Sequence, residues 1–185
     1  MIKYIFILTT IISGCANKSS DIKLQGSIDT LIQVVHQNDL SILYNVSIKP
    51  REYSIESEKQ IVRFQVRLNK KTFSIPVFDG DIPFSKGNYF DLFAYYQLKN
   101  IHNRDSAIIQ GKDYSDRVMG LYRVLKVHEI LGGLPNVGEL VIFKLLDGSQ
   151  ILFIPDTSKI FNNKWKESVY LSSKKIDKNL YIINK

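Results

Sequence analysis

The sequence predicts an α+β fold: an N-terminal helix followed by antiparallel β-hairpins, with one further helix near residues 89–101. Three observations carry that reading. Ile28, Leu31, Ile32 and Val35 recur at i, i+3, i+4 and i+7, which places apolar side chains on one face of a helix. Val62, Phe64, Val66 and Leu68 alternate with Ile61, Arg63, Gln65 and Arg67, the period of a half-buried strand. Asp147 and Gly148 separate two apolar runs, and that pair suits a type I′ hairpin turn, whose central residues both need positive φ.

In chain order, Ser27 is a fitting N-cap for a helix over 28–38, and a short second turn through Leu40, Leu43 and Tyr44 is expected before Pro50 ends it. The strand through Val62–Leu68 turns at Asn69-Lys70-Lys71 and returns through Phe73, Ile75 and Val77. Pro76 has no amide hydrogen, so the return strand belongs at a sheet edge. Residues 79–88 contain Gly80, Pro83 and Gly87 and read as loop.

Asn88 then offers an N-cap, with Phe90, Phe93, Ala94, Leu98 and Ile101 at helical spacing behind it. Arg117–Gly133 is readable in two ways: as a helix closed by Gly132 and Gly133, or as a strand, which the run Val124, Leu125, Val127 favours. A last hairpin is expected from Val169–Leu171 and Leu180–Ile183 across SSKKIDKN.

The first fifteen residues tell a separate story. Lys3 is a minimal positive start, and Tyr4–Ile12 is apolar apart from Thr9 and Thr10. A membrane-spanning helix needs about 20 apolar residues, so this stretch has the length of a signal peptide instead. The small residues Ser13 and Gly14 then precede the sole cysteine, Cys15. Ile12-Ser13-Gly14-Cys15 resembles the lipobox of bacterial lipoproteins.

That resemblance implies removal of residues 1–14 by cleavage between Gly14 and Cys15. It also implies a diacylglycerol thioether on the Cys15 sulfur and a new amino group open to acylation. Each buried CH₂ contributes about 0.8 kcal/mol, so two or three palmitate-length chains hold a protein durably where one does not. The expected organisation is therefore a signal peptide over 1–14, a lipidated N-terminus and flexible tether over 15–26, and one globular domain over 27–185. The eleven residues ANKSSDIKLQG of the tether have a root-mean-square span of ~18 Å.

With a single cysteine the chain has no intramolecular disulfide, and a thioether at Cys15 removes the thiolate as a nucleophile. The formal charge is +7, and Lys3 is the only charged residue ahead of Cys15, so the processed chain stays basic. In an envelope the first anions met are phospholipid, lipopolysaccharide or wall polymer, so nucleic acid is not the expected partner.

Catalytic patterns are sparse. There is no GxSxG, and Ser149 sits in the expected hairpin turn. His36, His102 and His128 share no metal-ligand spacing. Asp79 and Asp81 faintly echo a calcium loop but supply only two carboxylates, and LGGLPNVGEL lacks the lysine of a phosphate-binding loop. No catalytic residue, metal or cofactor is therefore assigned.

Two features remain as a candidate partner surface. One is the aromatic cluster between Phe84 and Tyr96, of which Tyr89, Tyr95 and Tyr96 are amphipathic enough to face a partner, although such clusters are more often core. The other is the lysine-rich C-terminus with Lys174, Lys175 and Lys178.

The expectation is a membrane-anchored envelope lipoprotein that binds a protein or cell-wall partner as an assembly factor, inhibitor or immunity protein. Its alternatives are a lipid-tethered enzyme acting on wall glycan through carboxylates such as Asp91, Asp105 or Asp113, and a structural lipoprotein without a specific ligand. Ala16, rather than Asp, follows Cys15. By the resemblance this implies the periplasmic face of the outer membrane in a Gram-negative cell, and the outer face of the cytoplasmic membrane otherwise.

Overall fold

The computed structural model describes residues 28–54, 59–79, 82–83 and 89–183. The expected signal peptide, Cys15 and the tether lie outside the described residues, as does most of the 79–88 loop. Within them the fold is α+β: helices laid on an eight-stranded antiparallel sheet whose order is β3 (Lys71–Ser74), β2 (Lys59–Leu68), β1 (Val46–Ser54), β6 (Glu129–Leu134), β7 (Gly138–Lys144), β8 (Gln150–Phe153), β10 (Leu180–Ile183) and β9 (Lys174–Asp177).

Helix α1 covers residues 28–37, with Ile28 and Leu31 buried and Ile32 and Val35 packed against the core. Asn38 Nδ2 donates to Val34 O at 2.8 Å, and Asp39 accepts from Ser41 N and Oγ, both at 2.9 Å, starting the 3₁₀ turn Ser41–Leu43. The chain then enters β1, Val46–Ser54, which runs straight through Pro50. That corrects the reading of Pro50 as a terminator. Asn45 O accepts from Arg67 N on β2, so alternate residues turn their N–H groups the other way and the missing donor of Pro50 faces the β6 side. There β6 pairs only with Ser47 and Ile48, so no ladder bond is lost at Pro50.

Strands β2 (Lys59–Leu68) and β3 (Lys71–Ser74) form the expected hairpin, with Phe64, Val66 and Phe73 buried. Their turn has φ 49° at Asn69 and 64° at Lys70, the type I′ geometry. β3 is the outer strand of the sheet, and Pro76 follows its end. A two-residue pair, β4 (Phe78–Asp79) with β5 (Ile82–Pro83), stands apart.

Helix α2, Tyr89–Gln97, is shorter than the expected 89–101, because Asn100 adopts a left-handed conformation at φ 63° and turns the chain. Helix α3, Arg104–Leu125, follows, capped by Asn103 Oδ1 accepting from Ser106 N at 2.9 Å. It overturns the strand preference for the first half of 117–133. Lys126, at φ 52°, ends the helix, and only then does β6 (Glu129–Leu134) begin. The buried residues of α3 are Ala107, Gly111, Ser115, Val118, Met119 and Leu125, and the small members of its first half do not register as apolar periodicity.

Strands β7 (Gly138–Lys144) and β8 (Gln150–Phe153) meet through Leu145–Ser149. The turn is not type I′: Gly148 is left-handed at φ 85°, but Asp147 is not. Gly148 N donates to Leu145 O at 3.0 Å and Leu145 N to Ser149 O at 2.8 Å, the pattern of a three-residue loop with a glycine bulge.

The last hairpin joins β9 (Lys174–Asp177) to β10 (Leu180–Ile183). Its first arm is therefore not Val169–Leu171, which lies in and after a single π-type turn, Lys166–Tyr170, continuing the short α4 (Asn163–Trp165). Serine hydroxyls hold that region locally coiled: Ser168 Oγ and Ser172 Oγ donate to Lys164 O and Ser168 O, each at 2.8 Å.

The core has two parts. Val46, Ile48, Phe64, Ile130, Val141, Phe143, Ile151 and Leu180 face α1–α3. Leu140, Ile142, Leu152, Ile154 and Tyr181 face the opposite way, beneath the segment 155–171 with Trp165 and Tyr170. β7 and β8 are thus buried on both faces, which is why VIF and ILF read as continuous apolar runs while β2 alternates.

Candidate functional site

A cleft of about 590 Å³ opens where four chain turns converge: Ser41–Asn45, the β2–β3 turn at Asn69 and Lys70, the β6–β7 connection, and Ser158–Phe161. Among the described residues its charged lining is Arg67, Lys70 and Lys159 with one acid, Glu139, while Asp39 and Asp156 are hydrogen-bonded to the lining residues Ser41 and Ser158; its apolar lining includes Tyr44, Leu134 and Phe161. Lys70, Lys159 and Glu139 are exposed, as is Phe161 at 66%.

The walls are held by backbone meeting backbone. A Cβ on Gly138, where φ is 144°, would lie 2.1 Å from Lys159 O, and one on Gly133 would lie 2.0 Å from Tyr44 O. Gly138 forms an isolated bridge with Ile160, Phe161 N donates to Val137 O at 2.9 Å, and Asn162 Nδ2 to Asn136 O at 2.9 Å. Arg67 crosses from β2 and donates to Gly133 O, tying the cation to the glycine pair of β6. Burial first, then the charges of Asp39 and Glu139, pushes the Tyr44 hydroxyl above its ordinary range and keeps it a neutral donor.

At the other end of β6 and β7 from the cleft the sheet carries a cross-strand cation–acid–cation set. Glu129, its side chain 12% exposed, lies 3.3 Å from Lys49 Nζ and 3.7 Å from Lys144 Nζ. A second, smaller cleft of about 230 Å³ lies between α2 and the start of α3, lined by Phe90, Phe93, Gln97, His102 and Arg104 among others. The Arg104 guanidinium sits 5.3 Å from the Phe93 ring centroid.

The residues expected from the sequence fall elsewhere. Gly14 and Cys15 are outside the described residues. Tyr95 and Tyr96 are 4% and 3% exposed and form no surface: they pack with Phe73 and Tyr114 in the core, Tyr95 meeting Phe73 edge-on at 5.7 Å. Tyr89 is half-buried, stacked on Phe93 at 6.0 Å. Lys174 and Lys175 are exposed on β9, the sheet's other outer strand, and Lys178 on its turn, where lysines also discourage edge-to-edge pairing.

The three carboxylates named for glycan chemistry are not brought together. Asp91 accepts from Ser74 N at 2.8 Å, Asp105 opens α3, and Asp113 lies 4.0 Å from Arg117 on the exposed side of α3. The larger cleft supplies one carboxylate and the smaller none. His36 Nε2 meets Asp177 Oδ2 at 2.5 Å, tying α1 to β9. A backbone donor from Lys178, with the His36 contact, holds Asp177 below the usual carboxylate range. Among the described residues, no three His, Cys, Asp or Glu side chains gather where a metal could be held, and no helix is long and apolar enough to cross a membrane.

Sequence reasoning passed over Arg67, Lys70, Glu139, Lys159 and Phe161. The available signal was a lysine at the second position of a two-residue turn, where glycine is the favoured occupant. No protein-family model matches the chain, and comparison with curated proteins and with solved structures likewise gives no match.

Proposed function

We propose that this chain is a lipid-anchored protein of the bacterial envelope whose folded domain acts by binding a protein partner in the cationic cleft. The observation that carries the reading is the cleft itself. Its walls are fixed by glycine-mediated backbone contact, so it is formed before any ligand arrives, and among the described residues its lining carries three cations and one acid. A preformed site loses little ordering entropy on association, which favours recognition.

The anchor rests on Ile12-Ser13-Gly14-Cys15, and Ala16 directs the protein to the periplasmic face of the outer membrane where the cell has two membranes. Two measurements test the proposal. Cys15→Ser should abolish incorporation of labelled palmitate and leave uncut precursor; label that survives the substitution defeats the anchor. Detergent-solubilised envelopes should yield a stoichiometric partner with the full chain that is lost with Arg67→Gln; repeated recovery of the protein alone defeats the binding role.

A further inference from the structure

Lys70 occupies a backbone position that favours glycine. At φ 64° its Cβ crowds the following carbonyl, a cost of ~1 kcal/mol for any side chain but glycine, asparagine or aspartate. The neighbouring Asn69, at φ 49°, tolerates this conformation well, so the turn needs only a glycine after it to reach its preferred Asn-Gly form. Instead the turn presents a lysine at the rim of the cleft. Strain of this kind concentrates where a side chain is required for something other than folding.

The rest of the lining indicates what the lysine faces. Lys159 stands on the wall formed by Ser158–Phe161, and Arg67 is part-buried in the same lining, one of its nitrogens committed to Gly133 O. One Nη1 hydrogen of Arg67 is committed to Gly133 O, which leaves its Nε–Nη2 edge for one carboxylate, while the ammonium groups of Lys70 and Lys159, carried on different chain turns, suit separated carboxylates rather than one compact phosphate. The same lining carries groups that match main chain and apolar side chains: the Asn45 and Asn69 amides, the neutral Tyr44 hydroxyl, and the faces of Leu134 and Phe161. Phe161, 66% exposed in a segment bonded to the β6–β7 turn, is an aromatic anchor held ready for a partner side chain.

We infer that the cleft receives an acidic peptide segment of a partner protein, its Asp or Glu carboxylates reaching Lys70, Lys159 and Arg67 and an apolar side chain between them resting on Phe161 and Leu134. This deepens the binding role proposed above and rests on it. Lys70 sets specificity for acid at the expense of turn stability.

The test uses the full lipidated chain in a neutral detergent and four probes: a fluorescein-labelled peptide alternating glutamate with leucine and phenylalanine, its glutamine counterpart, inorganic phosphate, and phosphatidylglycerol vesicles. The glutamate peptide should bind saturably, roughly tenfold or more tighter than the glutamine one, and weaken as salt is raised. Lys70→Gly should weaken it about three- to tenfold while leaving the melting temperature equal or higher, a combination that a purely structural lysine does not produce. Lys159→Gln should weaken it similarly, and Lys174→Gln should not.

Equal affinity for the two peptides overturns the inference, as does binding indifferent to Lys70→Gly and Lys159→Gln. Saturable binding of phosphate or vesicles that Lys70→Gly and Lys159→Gln weaken, with no peptide binding, assigns the cleft to a phosphate group and also overturns it. A partner captured from envelopes whose retention ignores both substitutions leaves the binding role standing and removes only the acidic-peptide assignment.

Discussion

Gly132→Ala is the substitution that most directly links the fold to the cleft. An alanine Cβ there would lie 1.7 Å from Leu43 O and 2.8 Å from Val46 O, both backbone atoms. No rotamer relieves such a contact, so either β6 or the 3₁₀ turn Ser41–Leu43 must withdraw by well over an ångström. Withdrawal of the turn lifts Leu43, which is fully buried, out of the core, and withdrawal of β6 strains the two pairs, Ser47 with Leu131 and Ile48 with Ile130, that join the halves of the sheet.

Displacing a buried leucine costs about 2–5 kcal/mol, and lost pairing adds to it, so a total near 3–5 kcal/mol is expected. For a domain of this size that lowers the melting temperature by roughly 6–20 °C. Thermal and urea unfolding followed by circular dichroism measure it. Gly120→Ala is the control: nothing lies within 4 Å of its Cβ position in α3, so alanine should stabilise by about 1 kcal/mol through helix propensity. A Gly132→Ala protein that melts with wild type, or a Gly120→Ala protein that melts well below it, refutes the close-approach reasoning.

Gly148→Val places a β-branched residue at φ 85° and should cost on the order of 1–3 kcal/mol, read as a lower urea midpoint; an unchanged midpoint denies the glycine bulge. Ser115 Oγ is buried in α3 with no hydrogen-bond partner among the described residues, so Ser115→Ala should raise stability by roughly 1–2 kcal/mol, and a lower melting temperature would reveal a bond the hydroxyl makes. Burial raises the hydroxyls of Tyr96, Tyr114 and Tyr122 above the unfolded value of 10.0 and that of Tyr181 to about 12. A raised folded pKa here favours the neutral phenol, so stability is full below pH 10 and falls as pH climbs through the folded values. Phenolate absorbance should rise together with loss of circular dichroism in that window; full ionisation without unfolding contradicts the burial.

The elements legible in the sequence are those whose two faces differ. The β2–β3 hairpin has Phe64, Val66 and Phe73 on one side and Arg63 and Arg67 on the other, and α1 has one apolar stripe, so periodicity exposed both. Helix α3 escaped because its buried stripe is built from Ala107, Gly111 and Ser115, chosen by close packing: a Cβ on Gly111 would lie 2.5 Å from Leu92 Cδ1 of α2. Small residues permit that approach and leave no hydrophobic period behind. β1 escaped because Pro50 signals a break unless one knows that β6 has already ended beside it, and that is a fact of tertiary pairing.

The cleft was illegible for a related reason. Its members come from four turns spread from Ser41 to Phe161, and those read from the sequence look ordinary alone: Leu40–Tyr44 as a short turn, NKK as a hairpin, LGGLPNVGEL as a connection. The aromatic cluster around Tyr95 drew attention because it is dense in sequence, yet density of large apolar rings favours a core, where Tyr95 and Tyr96 are found. The more telling signs were small conflicts between residue and backbone. Lys70 stands where glycine would be easier, and Phe161 stays in water beside Ile160, which is buried. Conflicts of each kind also occur away from the cleft, at Lys126 with φ 52° and at Leu146, 83% exposed, so it is their combination with the cations of one lining that singles out Lys70 and Phe161. The Lys70→Gly experiment discriminates because the substitution removes the backbone conflict and the proposed function together, so binding must fall while stability holds or rises.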